Sequence, residues 1–196
     1  CAGRTGQLLN LSSMANDAGI AVNTARAWLS VLEASYHVYL LQPHHRNFRK
    51  RLVKSAKLDF IDSGLSARLL GIQDAGQLSI HAMRGAPFET WVRSELHNQR
   101  STRALVATHD TRRDNPGNEI DVVLEEAGSL RQIEIKSGQT RRREYLAGLK
   151  KWCDLAEREE ASTGQATLVY EGDEVQQRSD VDIVPWRDIS SLHAHQ

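Results

Sequence analysis

Asp121, Glu134 and Lys136 are the side chains whose types and spacing most directly suggest chemistry. They lie in NEIDVVLEEAGSLRQIEIKSG, residues 118–138, which reads as two short strands around a tight turn. Strand side chains alternate between faces. Glu119 and Asp121 therefore share a face with Val123, while Glu134 and Lys136 share a face that excludes Ile133 and Ile135. A tight turn makes the strands neighbours, so Asp121 and Glu134 can converge on one cation. Mg²⁺, or Mn²⁺ in its place, suits such a pair, because it takes oxygen ligands from one or two carboxylates and keeps its waters. A lysine two residues along the strand is placed to position or activate one of those waters. The metal would polarise a phosphodiester. A third acid from the preceding helix, Glu89 or Glu95, would complete the set. The competing reading is ordinary: E-x-D opposite E-x-K also makes cross-strand ion pairs on a wet sheet face.

The elements around this hairpin follow from local pattern. FETWVRSELHNQ (88–99) is a helix whose Phe88, Trp91, Val92 and Leu96 form an apolar stripe. ALVATHD reads as a strand, TRRDNPGN as a polar loop, and EIDVVLEE and LRQIEIKSG as the hairpin arms. The segment REYLAGLKKWCDLAEREE is a helix, with Tyr145, Leu149, Trp152 and Cys153 turned to the sheet, and the strands ATLVYEG and DVDIVPW follow. This α–β–β–β–α–β order predicts an α/β domain with helices flanking a mixed sheet.

The first third has a different grammar. Ser12–Ala18 is a short helix with a Ser start signal, ended by Gly19 in a left-handed conformation. Asn23 or Thr24 caps a second helix, in which Ala27, Trp28, Val31 and Leu32 supply the apolar spacing and Trp28 is core. HVYLLQP is a strand ending at Pro43, and LVKSAKLDFID gives one or two more. Asp62 or Ser63 then caps a helix over Leu65–Leu70 that stops at Gly71, and residues 72–84 form a linker or short helix. Helix, glycine turn, helix and basic hairpin make a winged helix-turn-helix. On DNA the second helix would enter the major groove through Asn23, Thr24, Arg26 and Ser30. The wing would lie along phosphates through Arg49, Lys50, Arg51 and Lys54. The same module also serves as a spacer between proteins, with the basic stretch as a solvated surface. The predicted division is a winged helix at residues 1–75 and an α/β domain at 76–196.

The D-x12-E-x-K spacing from Asp121 to Lys136, within this element order, resembles the PD-(D/E)XK nuclease-like superfamily. The resemblance places the family's helical acid on Glu89, its Asp on Asp121 and its E-x-K on Glu134 and Lys136. The family's Pro is absent, since Ile120 precedes Asp121, and Gln139 stands where some members carry another polar residue. A second resemblance spans about residues 8–172: RLVKSAKLDFIDSGLSARLLGI, GAPFETWVRSELHNQ, EIDVVLE and IEIKSG look like the C-terminal region of a bacterial and archaeal group of AAA+-type ATPases. In that group a P-loop domain precedes a winged helix and a nuclease-like domain of unknown function. The resemblance implies ATP binding in an N-terminal domain, but no G-x-x-x-x-G-K-[ST] occurs in these residues, so no nucleotide site is assigned to them. It also implies that this chain serves its own ATPase domain and handles DNA or a protein partner. The absence of a starting Met fits a fragment of a longer protein.

Bulk properties narrow the rest. The 196 residues balance 25 Lys+Arg against 25 Asp+Glu, so net charge names no partner. The six basic residues and no acids of residues 44–58 are a local patch able to meet a polyanion. Cys1 and Cys153 make no disulfide framework and no zinc motif, which favours a reducing cytoplasm. No apolar run approaches the ~18–20 residues of a membrane span. The eight histidines, His44-His45, His193 and His195 among them, show no metal-ligand spacing and read as surface residues. The Arg141–Arg143 run is either a contact to a nucleic-acid backbone or a solvated helix start.

Overall fold

The computed structural model describes residues 1–43, 55–81, 84–102, 109–113, 119–126, 129–139, 145–146, 148–150, 153, 162–177 and 181–193. These fall into two compact units. The first is built from Cys1–Leu41 and Ser55–Ser94, the second from Gln42, Pro43 and the described residues from Glu95 onward.

In the first unit, helix α1 (Leu11–Ala18) is capped by Asn10, whose side chain accepts the Ser13 N–H at 3.0 Å. The start signal is therefore the asparagine before the helix, not a serine within it. Gly19 ends α1 at φ 65°, as its position predicts. Helix α2 (Val22–Ala34) begins at Ala21 with no side-chain cap, so neither Asn23 nor Thr24 plays that part. Its buried positions are Ala25 and Leu29, and Leu32 packs on the same core. Trp28 is 59% exposed and Val31 64% exposed, which corrects the placement of Trp28 in the core. The small Ala25 lets the helix approach closely along a stripe that larger side chains would prop open.

Strands β2 (Val38–Pro43) and β3 (Lys57–Phe60) are antiparallel, with Val38 opposite Phe60 and Leu40 opposite Leu58. The short strand β1 (Gln7–Leu8) pairs with the far side of β3. Two helices across a glycine turn, followed by an antiparallel hairpin, give the winged helix-turn-helix. Its core is Ala2, Leu29, Val38, Leu58 and Phe60. Arg49, Lys50, Arg51 and Lys54, with His44 and His45, lie outside the described residues. Helix α3 (Ser63–Leu69) starts at Asp62, whose carboxylate accepts the Leu65 N–H at 3.0 Å, and α4 (Ala75–Ile80) starts at Asp74 in the same way. Helix α5 (Gly85–Thr102) contributes residues to both units.

In the second unit, β4 (His109–Arg113), β5 (Glu119–Glu126) and β6 (Ser129–Lys136) form an antiparallel meander. Strand β4 includes Thr111, Arg112 and Arg113 from the segment read as polar loop. β7 (Ala166–Tyr170) adds parallel to β6, β9 (Val181–Pro185) adds parallel to β7, and the short β8 (Gln176–Gln177) closes the edge. The spatial order is β4-β5-β6-β7-β9-β8. A meander followed by parallel additions is the mixed sheet that the element order predicts.

Residues paired across neighbouring strands share a face. Glu134, Leu168 and Ile183 therefore form one row across β6, β7 and β9, and Lys136, Tyr170 and Pro185 form the next. Leu149, Leu168, Tyr170 and Ile183 belong to one buried cluster, and Tyr145, Leu146 and Cys153 pack against it. Trp152 and Arg141–Arg143 lie outside the described residues. Among the described residues, no helix is long and apolar enough to cross a membrane.

Candidate functional site

The β5–β6 ladder sets the geometry of the acidic pair. Val122 lies opposite Ile133 and Val123 opposite Gln132. Asp121 and Glu134 are the residues that follow this ladder on the two strands, and Asp121 sits where the β4–β5 pairing shifts register. Each of the two acids is 8% exposed. Charged groups buried this deeply need partners, and both have them. Asp121 Oδ2 accepts the Ile135 backbone N–H at 2.9 Å. Glu134 Oε1 meets Lys136 Nζ at 2.5 Å. The Lys136 side chain remains 32% exposed, so its ammonium stands between a buried carboxylate and solvent. The structure thus brings together three of the residues singled out by spacing: Asp121, Glu134 and Lys136. Lys136 closes β6 at its carboxyl end, where open α/β sheets place their ligands.

Glu89 belongs to the first unit, on α5, with its carboxylate 3.3 Å from Arg93 Nη1 one helical turn away. Glu95 is half-buried on the part of α5 that belongs to the second unit. Gln139 is exposed just past β6. On α2, Asn23, Arg26 and Ser30 are exposed and Thr24 is half-buried. Among the described residues, no group of three or more His, Cys, Asp and Glu side chains gathers into a metal cage.

The spacing argument missed a second polar cluster, in the first unit. Strand β3 lies between β1 and β2 and is buried on both faces. Leu58 and Phe60 enter the core, so Asp59 points the other way. Asp59 is 0% exposed and Arg93 is 1% exposed. Arg93 Nε donates to Asp59 Oδ2 at 2.7 Å and Arg93 Nη2 donates to Oδ1 at 3.0 Å, a bidentate fork. Thr90 Oγ1 also donates to Asp59 Oδ1 at 3.0 Å, and Thr5 Oγ1 stands 2.9 Å from Thr90 Oγ1. Burial works to lower the Arg93 pKa, but the charge and hydrogen bonds of Asp59, and then the charge of Glu89, raise it further, so the guanidinium stays charged. Burial and then Asp59 push the Tyr39 hydroxyl above its ordinary range. The available signal was a lone acid inside the apolar run KLDF. Its partner was hidden because it lies 34 residues away.

Comparison with known families now adds to this geometry. The model of a domain of unknown function, DUF4143, matches residues 84–189, more than half of the chain. The chain belongs to the DUF4143 family. A second domain of unknown function, DUF8612, matches residues 1–76, the stretch that holds α1, α2 and the β2–β3 hairpin. Uncharacterized proteins of Mycobacterium tuberculosis and Mycobacterium bovis are each 33% identical over 137 residues, which is 69% of this chain and 30% of theirs. The chain thus spans less than a third of the length of the curated relatives it matches. Within the DUF4143 match lie all three clustered residues, Asp121, Glu134 and Lys136, together with Glu89.

Proposed function

We propose that this chain is the nucleic-acid-handling part of a larger AAA+-type ATPase, and that Asp121, Glu134 and Lys136 support Mg²⁺-dependent phosphodiester cleavage. The observation that carries this reading is the hydrogen bond that holds Asp121 to the Ile135 N–H, next to Glu134, with Lys136 Nζ 2.5 Å from Glu134 at the carboxyl end of β6. The donor set fits the ion: Mg²⁺ (or Mn²⁺) takes one or two carboxylates and completes its shell with water. Bound there, it would supply Lewis-acid polarisation of a phosphoryl oxygen. The chain's own groups do the rest. The Ile135 N–H holds one Asp121 oxygen in place, and the Lys136 ammonium presents positive charge where the phosphate gains negative charge. Glu89 is the further acid that the family resemblance assigns to this chemistry.

The ATPase assignment rests on the family resemblance and on relatives more than three times as long as their match to this chain. ATP would bind in the domain these residues do not contain. DNA contacts would come from Asn23, Thr24 and Arg26 on α2 and from Arg49, Lys50, Arg51 and Lys54 between β2 and β3. Replacing Arg49, Lys50 and Arg51 with Ala is expected to weaken duplex binding and flatten its salt dependence; an unchanged salt slope would remove the wing from the interface.

One observation favours a second reading. The Glu134–Lys136 ion pair satisfies in part the acid that a metal would use. A non-catalytic module that binds DNA or a protein for the ATPase tolerates that bridge. Supercoiled, linear and single-stranded DNA, incubated with Mg²⁺ or Mn²⁺ beside a Lys136→Ala control, separates the two. Metal-dependent cutting that is lost in the control establishes the nuclease; DNA binding without cutting establishes the module.

A further inference from the structure

Two strands from Lys136, the same sheet edge carries a second construction. Tyr170 ends β7 beside Lys136 in the ladder and is 2% exposed. Its hydroxyl donates to the Glu174 carbonyl at 2.9 Å and accepts the Glu174 N–H at 3.0 Å, which ties down the loop after β7. Gly172 lies so close to the Tyr170 ring that a Cβ there would sit 2.1 Å from a ring carbon, so only glycine fits. The loop held in this way presents Asp173. Asp173 Oδ1 accepts from Arg187 Nη1 at 2.8 Å, and the Arg187 guanidinium lies 4.4 Å from the centre of the Trp186 ring. Trp186 directly follows Pro185, the β9 residue in the row of Lys136 and Tyr170. With strands about 4.8 Å apart, Trp186 starts about 10 Å from the Lys136 backbone.

This is a pre-set flat surface. The guanidinium stacks on the indole, is oriented by Asp173, and leaves the Arg187 side chain 61% exposed. Val175 in the same loop is 61% exposed and adds apolar surface. Asp173 pairs with the Arg187 charge, so the guanidinium offers its planar face more than a free positive charge, and that face suits a planar, polarisable group. Nucleobases have that character, and they stack on aromatic rings and on Arg planes only when unpaired.

We propose that Trp186 and Arg187 form a base-stacking platform for single-stranded nucleic acid, which passes from there to the Lys136 end of β6. The inference rests on the nucleic-acid reading above and names its substrate class: a strand with unpaired bases, not an intact duplex.

The test is fluorescence anisotropy of labelled single-stranded DNA, single-stranded RNA and duplex DNA of about 12 nucleotides. It uses the whole chain in EDTA, so that nothing is cut. Trp186→Ala is expected to weaken single-strand binding about tenfold with an unchanged salt slope, because stacking is lost and no phosphate contact is. Trp186→Phe restores most of the affinity, and duplex binding stays the same. Because Trp186 is half-buried, the surface variant Arg187→Ala gives an independent reading, again with loss of single-strand affinity. Equal loss for DNA and RNA assigns the platform to bases alone, and loss for one assigns it to that strand type. Wild-type single-strand affinity in both Trp186→Ala and Arg187→Ala overturns the platform, as does a parallel loss of duplex binding. A chain that cuts with metal yet binds single strands unchanged in these variants loses only the platform. A chain that never cuts but shows the tenfold loss keeps the platform and loses the nuclease.

Discussion

Asp59 grips Arg93 through both oxygens in a place closed to solvent, whereas Glu134 meets Lys136 through Oε1 where the lysine side chain remains 32% exposed. Both acids are buried on strands and both face a cation. The difference lies in the cation and in its freedom to leave. Arg93 is a rigid fork, 1% exposed, with Thr90 donating to the same carboxylate. Its charge cannot be removed, and it has no other place to go. Lys136 is a point charge on a flexible stem at the end of a strand, and a metal ion can take its place beside Glu134. The first arrangement holds a fold together, and the second can exchange its contents.

The largest effect is expected at Asp59. Asp59→Ala leaves a buried guanidinium without its partner and is expected to destabilise the first unit by about 3–5 kcal/mol in urea unfolding. Replacing the pair together, as Asp59→Leu with Arg93→Met, should recover most of that loss; a double variant as unstable as the single would show that the pair does more than fill space. At the other site the largest effect falls on chemistry. Lys136→Ala should lower metal-dependent cleavage by on the order of 100-fold, while Lys136→Met takes this partner from the buried Glu134 carboxylate and should cost about 1–3 kcal/mol. A stability loss as large as that at Asp59 would make Lys136 a structural residue. Mg²⁺ sharpens the contrast further. At ten times its dissociation constant it should stabilise the wild-type chain by about 1.4 kcal/mol in thermal unfolding, and Asp121→Asn should abolish that gain. The smallest effect is expected at His97, half-buried on α5, which burial holds below the usual histidine range. Its folded form binds a proton less readily than its unfolded form, so its contribution is present above about pH 6.5 and is lost on acidification below that. His97→Gln should reduce the slope of stability against pH between about 5 and 7.

The exchangeable site was legible because everything that builds it is local. Asp121 and Glu134 follow the paired ladder of two strands that are adjacent in sequence, and Lys136 comes two residues after Glu134. The Ile135 N–H then holds Asp121 beside Glu134. The Asp59–Arg93 cluster is the reverse case. Nothing within KLDF says that β3 is the middle strand of three, and only that placement buries Asp59. Trp28 failed for a related reason. Its stripe was read from the largest apolar side chains, but the helix packs through Ala25 and Leu29, and Trp28 faces outward. Strand β4 was read as loop in part because Thr111, Arg112 and Arg113 are polar; the strand character of Arg112 and Arg113 comes from pairing with β5, not from their own propensity. Asn23 and Thr24 looked like caps by type, yet α2 starts before them, at a residue whose side chain offers no acceptor.

The hydrogen bond from the Ile135 N–H to Asp121 Oδ2 has a spectroscopic consequence. The Ile135 amide proton reports on a carboxylate, not on a neighbouring carbonyl. Its ¹H–¹⁵N resonance should shift when Asp121 takes up a cation, while amides deeper in the β5–β6 ladder stay still. One resolved cross-peak would then read the state of the acidic pair in the intact chain, before any substrate is added.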